Sequence, residues 1–254
     1  MRNKFKILIV VLFLATVGGL GWWIWHSERH NMFQVLLVRE ELPTPDIKRY
    51  TVLVAELKRW QNDLGKEYKN AESDNRRNAV ENDAKLILEM ILPEMMRCWI
   101  GTGYDFNGTA NGPGNGKIAC GYFVSTVLRD AGFKLDRFKL AQQPSQNILR
   151  SFLDEAECEL RVGENYSKYI DWLESKENGV YIVGLDTHVG FIVVRSNRMR
   201  FLHSSGINSA GVVEEGPKKA YALKKSNWRM LGNFSGDKDV IKTWLMGKRV
   251  KIAE

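Results

Sequence analysis

Histidine and cysteine are scarce in this chain, which has four histidines and three cysteines in 254 residues. There is no Cys-x-x-Cys pair, and His188 and His203 lack the His-Glu-x-x-His spacing of zinc peptidases. The sequence therefore predicts no metal site. An odd number of cysteines in an oxidising compartment allows at most one disulfide and one free thiol. Cys98 and Cys158 are either that disulfide pair or two small buried hydrophobic residues.

Patterns that would bind a nucleotide or a nucleic acid are also missing. The segment Gly112–Lys117 superficially resembles a phosphate loop, but the Walker pattern requires glycine at Asn111 and serine or threonine at Ile118. Asp237-Lys-Asp239 has the form of a glycosyltransferase metal-binding pair, yet no nucleotide-binding alternation of strands and helices precedes it. The net charge of +7 is spread along the chain. It favours a solvated basic surface, suits an anionic cell-surface polymer and predicts no nucleic-acid partner.

The chain has one long apolar run, residues 7–25, which follows the basic residues Arg2, Lys4 and Lys6. Its length is about the ~20 residues that a helix needs to cross a bilayer, and its end is rich in tryptophan, as at a membrane interface. A cleaved signal peptide has a shorter apolar core and a small-residue cleavage site, so the pattern favours an uncleaved signal anchor. We expect residues 1–27 to be a single-pass transmembrane anchor, with its basic end in the cytoplasm and the remainder of the chain outside.

Two polar, amphipathic helical patterns occupy the region after the anchor. Asp46 is a candidate N-cap for the first, and the second runs from Ser73 to Met90, where Pro93 is expected to stop it. We predict a helical stalk or antiparallel hairpin over residues 28–95. It would hold a catalytic domain of residues 96–254 away from the membrane.

The composition changes at about residue 96, and glycine, asparagine and proline cluster between residues 101 and 116. After this loop the patterns predict helices followed by consecutive strands. The helices are predicted to begin at residue 120 and to span 145–153 and 167–173, and the strands to span 180–185, 189–195 and 199–203. Helices that precede an antiparallel meander define an α+β fold in which a helix packs on a small sheet.

Cys120 opens an apolar helical run directly after the glycine-rich loop. A cysteine at a helix N-terminus lies near unpaired backbone N–H groups and the positive end of the helix dipole, which favour the nucleophilic thiolate. His188 and His203 are the two histidines outside the N-terminal region, and both are predicted on neighbouring strands. His188 can act as the base, and His203 can hold the other imidazole nitrogen. The pattern predicts a Cys-His-His hydrolase that needs no metal or cofactor.

These residues fall in four short blocks that resemble the NlpC/P60 family of bacterial cell-wall cysteine peptidases. Trp99–Gly108 is similar to the family's Gly-Thr-x-Tyr-x-(Trp/Phe)-Gly-Gly segment, and Cys120–Val124 to its Cys-Ser-Gly-Phe-Val segment. His188–Ile192 is similar to its His-Val-Gly-Ile-Tyr strand, and Phe201–Ser205 to its Ile-His-Ala-Ser strand. The resemblance covers residues 99–205 in the family's order, and four blocks in sequence are more specific than any one of them.

The resemblance implies a papain-like core, in which the helix that bears the cysteine packs on a small antiparallel sheet. It implies that Cys120 is the nucleophile, His188 the base and His203 the residue that orients His188. It also implies that Tyr104 lines the site near the thiol.

Two positions depart from the family pattern. Ala119 and Gly121 stand where the family commonly has aspartate and serine. Losing the carboxylate removes a group that could grip a substrate amine, unless another acid such as Asp105 has taken that role. The candidate substrate-binding residues are therefore Tyr104, Asp105, Ala119 and Gly121.

The function that the resemblance implies is hydrolysis of an amide in the peptide part of peptidoglycan, outside the bacterial cytoplasmic membrane. The expected partners are peptidoglycan stem peptides, together with the membrane through residues 7–25. Two alternatives remain open. One is a toxin-like thiol amidase that acts on a different amide or acyl bond, and the other is a wall-binding scaffold without catalysis.

Overall fold

The computed structural model of the protein describes residues 45–254, which lie within one compact unit. The predicted anchor of residues 1–27 and the first part of the predicted stalk lie outside the described residues. Within residues 45–254, no helix is both long enough and apolar enough to cross a membrane.

Residues 45–254 contain eight α-helices and six strands. The helices are α1 (Ile47–Asn70), α2 (Asp74–Arg97), α3 (Cys120–Asp130), α4 (Arg137–Ala141), α5 (Ser145–Arg150), α6 (Tyr166–Glu174), α7 (Tyr221–Lys225) and α8 (Lys238–Met246). The strands are β1 (Cys158–Val162), β2 (Gly179–Leu185), β3 (Val189–Arg195), β4 (Arg198–Ser205), β5 (Gly211–Glu215) and β6 (Trp228–Gly232).

The six strands form a single antiparallel sheet in the order β1-β6-β2-β3-β4-β5. The expectation of an α+β fold with a meander is confirmed, because β2 to β5 follow one another both in the chain and in the sheet. The sequence patterns missed β1, β5 and β6, which extend the sheet at its two sides. The sheet is therefore twice as wide as the three predicted strands.

The central strands are buried on both faces, which explains why β2 is a continuous apolar run without alternation. On one face, α6 packs on the sheet through Tyr169 and Leu173. On the other face α3 packs against β3, and Phe123 meets Phe191 edge to face with ring centroids 6.1 Å apart. This second contact fixes the helix that carries Cys120 against the strand that follows His188.

The predicted helical hairpin is present as α1 and α2, but α2 does not stop before Pro93. Asp46 accepts a hydrogen bond from the Arg49 N–H at 2.9 Å and caps α1, as predicted. Pro93 lies inside α2, where it cannot donate a hydrogen bond to the carbonyl of Glu89 four residues earlier. The Arg195 guanidinium donates to that carbonyl at 2.8 Å and satisfies it. The hydrogen bond from Arg195 thus offsets part of the free-energy cost of a proline inside the helix.

The expectation of a separate stalk with a boundary at residue 96 is corrected by the packing of the hairpin. The Gln61 amide donates to the carbonyls of Gly132 and Trp244, at 3.1 and 2.7 Å, and so ties α1 to elements late in the chain. Arg97 at the end of α2 forms a two-pronged ion pair with Glu214 on β5. The amphipathic faces of the two helices therefore cover the rest of the described chain as well as each other, and residues 45–254 belong to one unit.

Cys98 and Cys158 are both free thiols in the structure, so they do not form the disulfide that the sequence left open. Cys98 is buried, and burial raises the pKa of its thiol to about 12. It is thus a small buried hydrophobic residue, whereas Cys158 is half-buried at the start of β1.

Candidate active site

Cys120 is held at the start of α3 by backbone contacts of the glycine-rich loop. The N–H groups of Ile118 and Ala119 donate to the carbonyls of Gly103 and Gly108, at 2.8 and 2.9 Å. Ala119 is the N-cap residue, and its methyl side chain makes no capping hydrogen bond. The half-buried thiol is therefore next to a helix terminus that no side chain caps.

Burial raises the pKa of the Cys120 thiol above its ordinary value, although the N–H groups of Val189 and Gly121 oppose this effect. The helix terminus acts in the predicted direction, but the loss of water around the sulfur outweighs it. Cys120 at rest is therefore a neutral thiol, and a nucleophilic role would require a base.

The two predicted histidines meet, and a third residue extends the chain of hydrogen bonds. His188 Nε2 lies 2.7 Å from His203 Nδ1, and His203 Nε2 lies 3.0 Å from a carboxylate oxygen of Glu215. Sequence reasoning missed Glu215, since it did not find β5. The register of β4 and β5 pairs His203 with Val213, so Glu215, two residues further along, projects from the same face of the sheet as His203.

This arrangement determines where the protons are. An ionised carboxylate only accepts hydrogen bonds, so His203 carries its proton on Nε2 and offers Nδ1 as an acceptor. His188 then donates from Nε2 and keeps the lone pair on Nδ1. The nitrogen not bound to His203 is thus the basic one. Cys120 and His188 line the same cavity, and this nitrogen is the one left free to accept a proton there.

Both imidazoles are neutral at physiological pH. Burial, together with the nearby His203, lowers the pKa of His188 to about 3. Burial also lowers the pKa of His203, and the hydrogen bond and negative charge of Glu215 oppose that shift. The resting site therefore holds a neutral thiol and two neutral imidazoles, with His203 hydrogen-bonded to Glu215.

Close packing explains why position 190, the third residue of the His-Val-Gly block, is a glycine. A Cβ at Gly190 would lie 2.7 Å from the Phe201 ring and 2.8 Å from the Cβ of His203. The His203 ring stacks on Phe201, with centroids 3.9 Å apart and planes 15° apart. Any larger residue at position 190 would displace the ring that orients His188.

Two cavities flank His188. The cysteine-side cavity, of about 530 Å³, is lined by Cys120 and Gly121, by the segment from Gln143 to Ile148, and by Trp228. The tyrosine-side cavity, of about 480 Å³, is lined by Tyr104, His203 and Ser205–Ile207, and by Tyr221, Ala222, Lys225 and Ser226 in and after α7. Asp186, Thr187 and His188 line both cavities. A substrate that crosses the cleft would pass over His188 with one part in each cavity.

Tyr104 is placed near the thiol, as predicted. Burial raises the pKa of its hydroxyl, and the neighbouring Cys120 and Asp105 raise it further. Its ring packs on Gly206, where a Cβ would lie 2.8 Å from a ring carbon. Tyr104 thus forms one wall of the tyrosine-side cavity.

The other candidate substrate-binding residues have different positions. Asp105 accepts a hydrogen bond from the Asn107 N–H at 2.9 Å and lines a separate depression in the glycine-rich loop, so it is not brought to the cleft. Ala119 is buried and lines neither cavity. Gly121 lines the cysteine-side cavity, and a Cβ there would lie 2.2 Å from the carbonyl oxygen of Ala141. The close approach of α4 therefore accounts for the glycine.

The carboxylate that does line the cleft is Asp186, which sequence reasoning did not select. Its two oxygens accept hydrogen bonds from the N–H groups of Asn227 and Trp228, at 2.8 and 3.0 Å. Asp186 thereby ties the turn after β2 to the start of β6. Within residues 45–254, no group of three or more His, Cys, Asp or Glu side chains is arranged to hold a metal ion.

Comparisons of the chain with known protein families, with curated proteins and with solved structures give no match. The site is therefore interpreted from its own geometry.

The neutral state of the thiol predicts how Cys120 responds to an alkylating reagent. Only the thiolate reacts, and its fraction rises about tenfold per pH unit below the thiol pKa. Because burial raises that pKa, we expect iodoacetamide to label Cys120 slowly near pH ~6 and progressively faster up to pH ~9 and above. Peptide mass mapping of the full-length protein, with Cys120→Ser as a control for Cys98 and Cys158, measures this. Fast labelling that does not change between pH ~5 and ~8 would instead show a preformed thiolate–imidazolium pair.

Proposed function

We propose that this protein is a membrane-anchored cysteine hydrolase of the NlpC/P60 type, with a papain-like core, that cleaves amide bonds in the peptide part of peptidoglycan. The observation that carries the proposal is the hydrogen-bonded relay His188–His203–Glu215, with Cys120 at a helix start and lining the same cavity as His188. In this proposal residues 1–27 anchor the chain in the bacterial cytoplasmic membrane. The catalytic unit lies on the outer side, where stem peptides are found.

The relay supports a general-base mechanism. As the Cys120 sulfur attacks the amide carbonyl, its proton moves to Nδ1 of His188, and the carbonyl becomes an oxyanion that backbone N–H groups at the start of α3 stabilise. The His188 imidazolium then gives this proton to the amine as the C–N bond breaks, leaving a thioester on Cys120. Water attacks the thioester and gives its proton to His188, and the sulfur regains a proton when the C–S bond breaks.

His203 and Glu215 support the step in which charge develops. When His188 becomes an imidazolium, its Nε2–H donates a stronger hydrogen bond to His203 Nδ1. The Glu215 carboxylate holds His203 in the tautomer that accepts this bond and places a negative charge beyond it. The low pKa of His188 disfavours the imidazolium at rest, so this support is needed only during the reaction.

A toxin-like amidase with the same relay is the second candidate, and the absence of an acid at position 119 favours it. Ala119 is buried and cannot grip a substrate amine. The non-catalytic scaffold is less well supported. Binding alone does not require a thiol in the same cavity as a histidine that is linked through a second histidine to a carboxylate.

Digestion of purified sacculi tests the proposed function. The full-length protein is expected to release peptide fragments with new amino and carboxyl ends, identified by mass spectrometry, whereas Cys120→Ala releases none. A fragment beginning at residue 96 is unsuitable, because α1 and α2 belong to the folded unit. If the wild-type protein releases no fragment, peptidoglycan is not the substrate. Hydrolysis of a simple peptide amide or ester under the same conditions would then favour the toxin-like alternative.

A further inference from the structure

The two edges of the sheet are not equally covered. At the β5 edge, the Gly101 N–H donates to the Val212 carbonyl at 2.9 Å, and the Val212 N–H donates to the Thr102 carbonyl at 2.8 Å. At the other edge lies β1, and no strand of residues 45–254 pairs with its outer side. An edge strand that nothing covers is a template for pairing with a further strand.

The backbone groups of β1 alternate between the sheet and its outer side. Directly after β1, the Gly163 N–H donates at 2.9 Å to the carbonyl of the residue that precedes β6. In an antiparallel ladder alternate residues bond to the same neighbour, so Glu159 and Arg161 point their backbone groups towards β6. Leu160 and Val162 therefore point theirs outward.

The outward-pointing residues also carry exposed apolar side chains. Leu160 and Val162 lie on the same face of β1 and are 47% and 58% exposed. On the strands of residues 45–254, no other large apolar side chain is exposed. An added strand at this edge would therefore satisfy backbone groups and bury apolar surface together.

Two opposite charges occupy the other face of β1, on the side of α6. The Lys176 ammonium lies 2.7 Å from a carboxylate oxygen of Glu159. The Arg161 guanidinium lies 4.5 Å from the centre of the Trp172 ring. These contacts hold both side chains in place, and both remain partly exposed at the edge.

We infer that two copies of this chain associate through β1, pairing antiparallel about Leu160 so that their sheets become continuous. In this register Leu160 lies opposite the partner's Leu160, and Val162 opposite the partner's Cys158. Glu159 lies opposite the partner's Arg161, and the two-fold symmetry repeats this pair. The inference does not depend on the proposed function.

The same charges disfavour the neighbouring registers. Outward-pointing residues must pair with each other, so the register changes in steps of two residues. One such step places Arg161 opposite the partner's Arg161, and a step the other way places Glu159 opposite the partner's Glu159. Like charges directly opposite destabilise a strand pair. Since β1 has five residues, the interface is small, and we expect a dissociation constant on the order of 10–100 µM.

Charge reversal tests the pairing, with sedimentation of the full-length protein in detergent micelles as the measurement. Glu159→Arg and Arg161→Glu should each raise the dissociation constant about tenfold or more, because each replaces both attractive pairs by like charges. An equimolar mixture of the two variants should dimerise about as tightly as the wild type, since each chain then meets only opposite charges on the other. Lys218→Glu, an exposed charge reversal outside β1, is the control and should change the constant by less than about twofold.

Recovery in the mixture requires that both variants are folded, and thermal unfolding of each checks this directly. A wild-type protein that stays monomeric up to about 1 mM would overturn the inference. Dimers that neither single variant weakens would also overturn it, since they would form through another part of the chain. A mixture that associates no better than the single variants would contradict the proposed register.

A disulfide tests the register at a second position. Val162→Cys, introduced together with Cys120→Ala, places a thiol opposite the partner's Cys158, at a Cα separation of about 5.5 Å that a disulfide can span. Positions 158 and 162 of one strand are roughly 13 Å apart, so a disulfide between them joins two copies. Mild oxidation and peptide mass mapping should show this link, and the further change Cys158→Ala should abolish it. No link, or a link between two thiols at position 162, would overturn the register.

Discussion

Cys120→Ala is expected to abolish amide hydrolysis, with kcat reduced by about 10⁴-fold or more, while the protein keeps its fold. In the proposed mechanism the sulfur is the attacking atom, and removal of a nucleophile leaves only the catalysis that binding and oxyanion stabilisation provide. The fold should survive because Cys120 is half-buried at the first position of α3, and alanine is a good helix former. Peptide hydrolysis and thermal unfolding of the same preparations measure the two effects.

The chain provides a matched control in Cys158, a second half-buried thiol that lies at the start of β1. Cys158→Ala is expected to keep kcat within about twofold, since this thiol lines neither cavity of the cleft. Activity that persists in Cys120→Ala, or that disappears in Cys158→Ala, would remove Cys120 from the mechanism.

The elements that sequence patterns located correctly are those with a strong local signal. β2 and β3 are continuous apolar runs bounded by turn residues, and α3 has apolar residues at helical spacing after a glycine-rich loop. β5 and β6 are five-residue strands, and the run Gly-Val-Val-Glu-Glu of β5 alternates too little to be recognised. Their positions depend on pairing with β4 and β2, which sequence periodicity does not contain.

The position of the helical hairpin was not predictable for a similar reason. The apolar stripe of α1 shows that one face is buried, but the same stripe would suit a partner helix alone. The bonds of Gln61 to two distant carbonyls and the ion pair of Arg97 with Glu214 place both helices against elements that follow residue 120. Contacts of this kind join residues more than 70 positions apart. Such contacts leave no local pattern.

The candidate site was predicted in its residue types but not in its charge state. The position of Cys120 at a predicted helix start, and of His188 and His203 on predicted neighbouring strands, selected the candidate thiol and the two imidazoles. Burial determines the resting protonation of all three, and burial is a property of the packed fold. Glu215 could have been found from the β4–β5 hairpin, had β5 been recognised, because its register follows from the short connection of residues 206–210.

The second large loss of activity is expected on substitution of His188. His188→Ala should reduce kcat nearly as much as Cys120→Ala, since the neutral thiol has no other base on this relay and thiolate formation at neutral pH is disfavoured by burial. The double variant should be no slower than Cys120→Ala by more than about threefold, because residues that act as one catalytic unit are not additive. A double variant that is far slower would show that the two side chains act separately.

The loss of kcat on substitution should become smaller along the relay from His188 to Glu215. Glu215→Gln keeps an oxygen that can accept the His203 Nε2–H but loses the charge, and we expect kcat to fall by about tenfold. Glu215→Leu frees the His203 tautomer as well, so a loss of about 10²-fold is expected, with KM little changed. The control is Glu214→Gln on the same strand, which breaks the ion pair with Arg97 and should lower thermal stability without a change in kcat. Equal losses of kcat in the Glu214 and Glu215 variants would mean that Glu215 only supports the strand. A loss of kcat confined to the Glu215 variants would instead require that its carboxylate acts through His203 on His188, the proposed base.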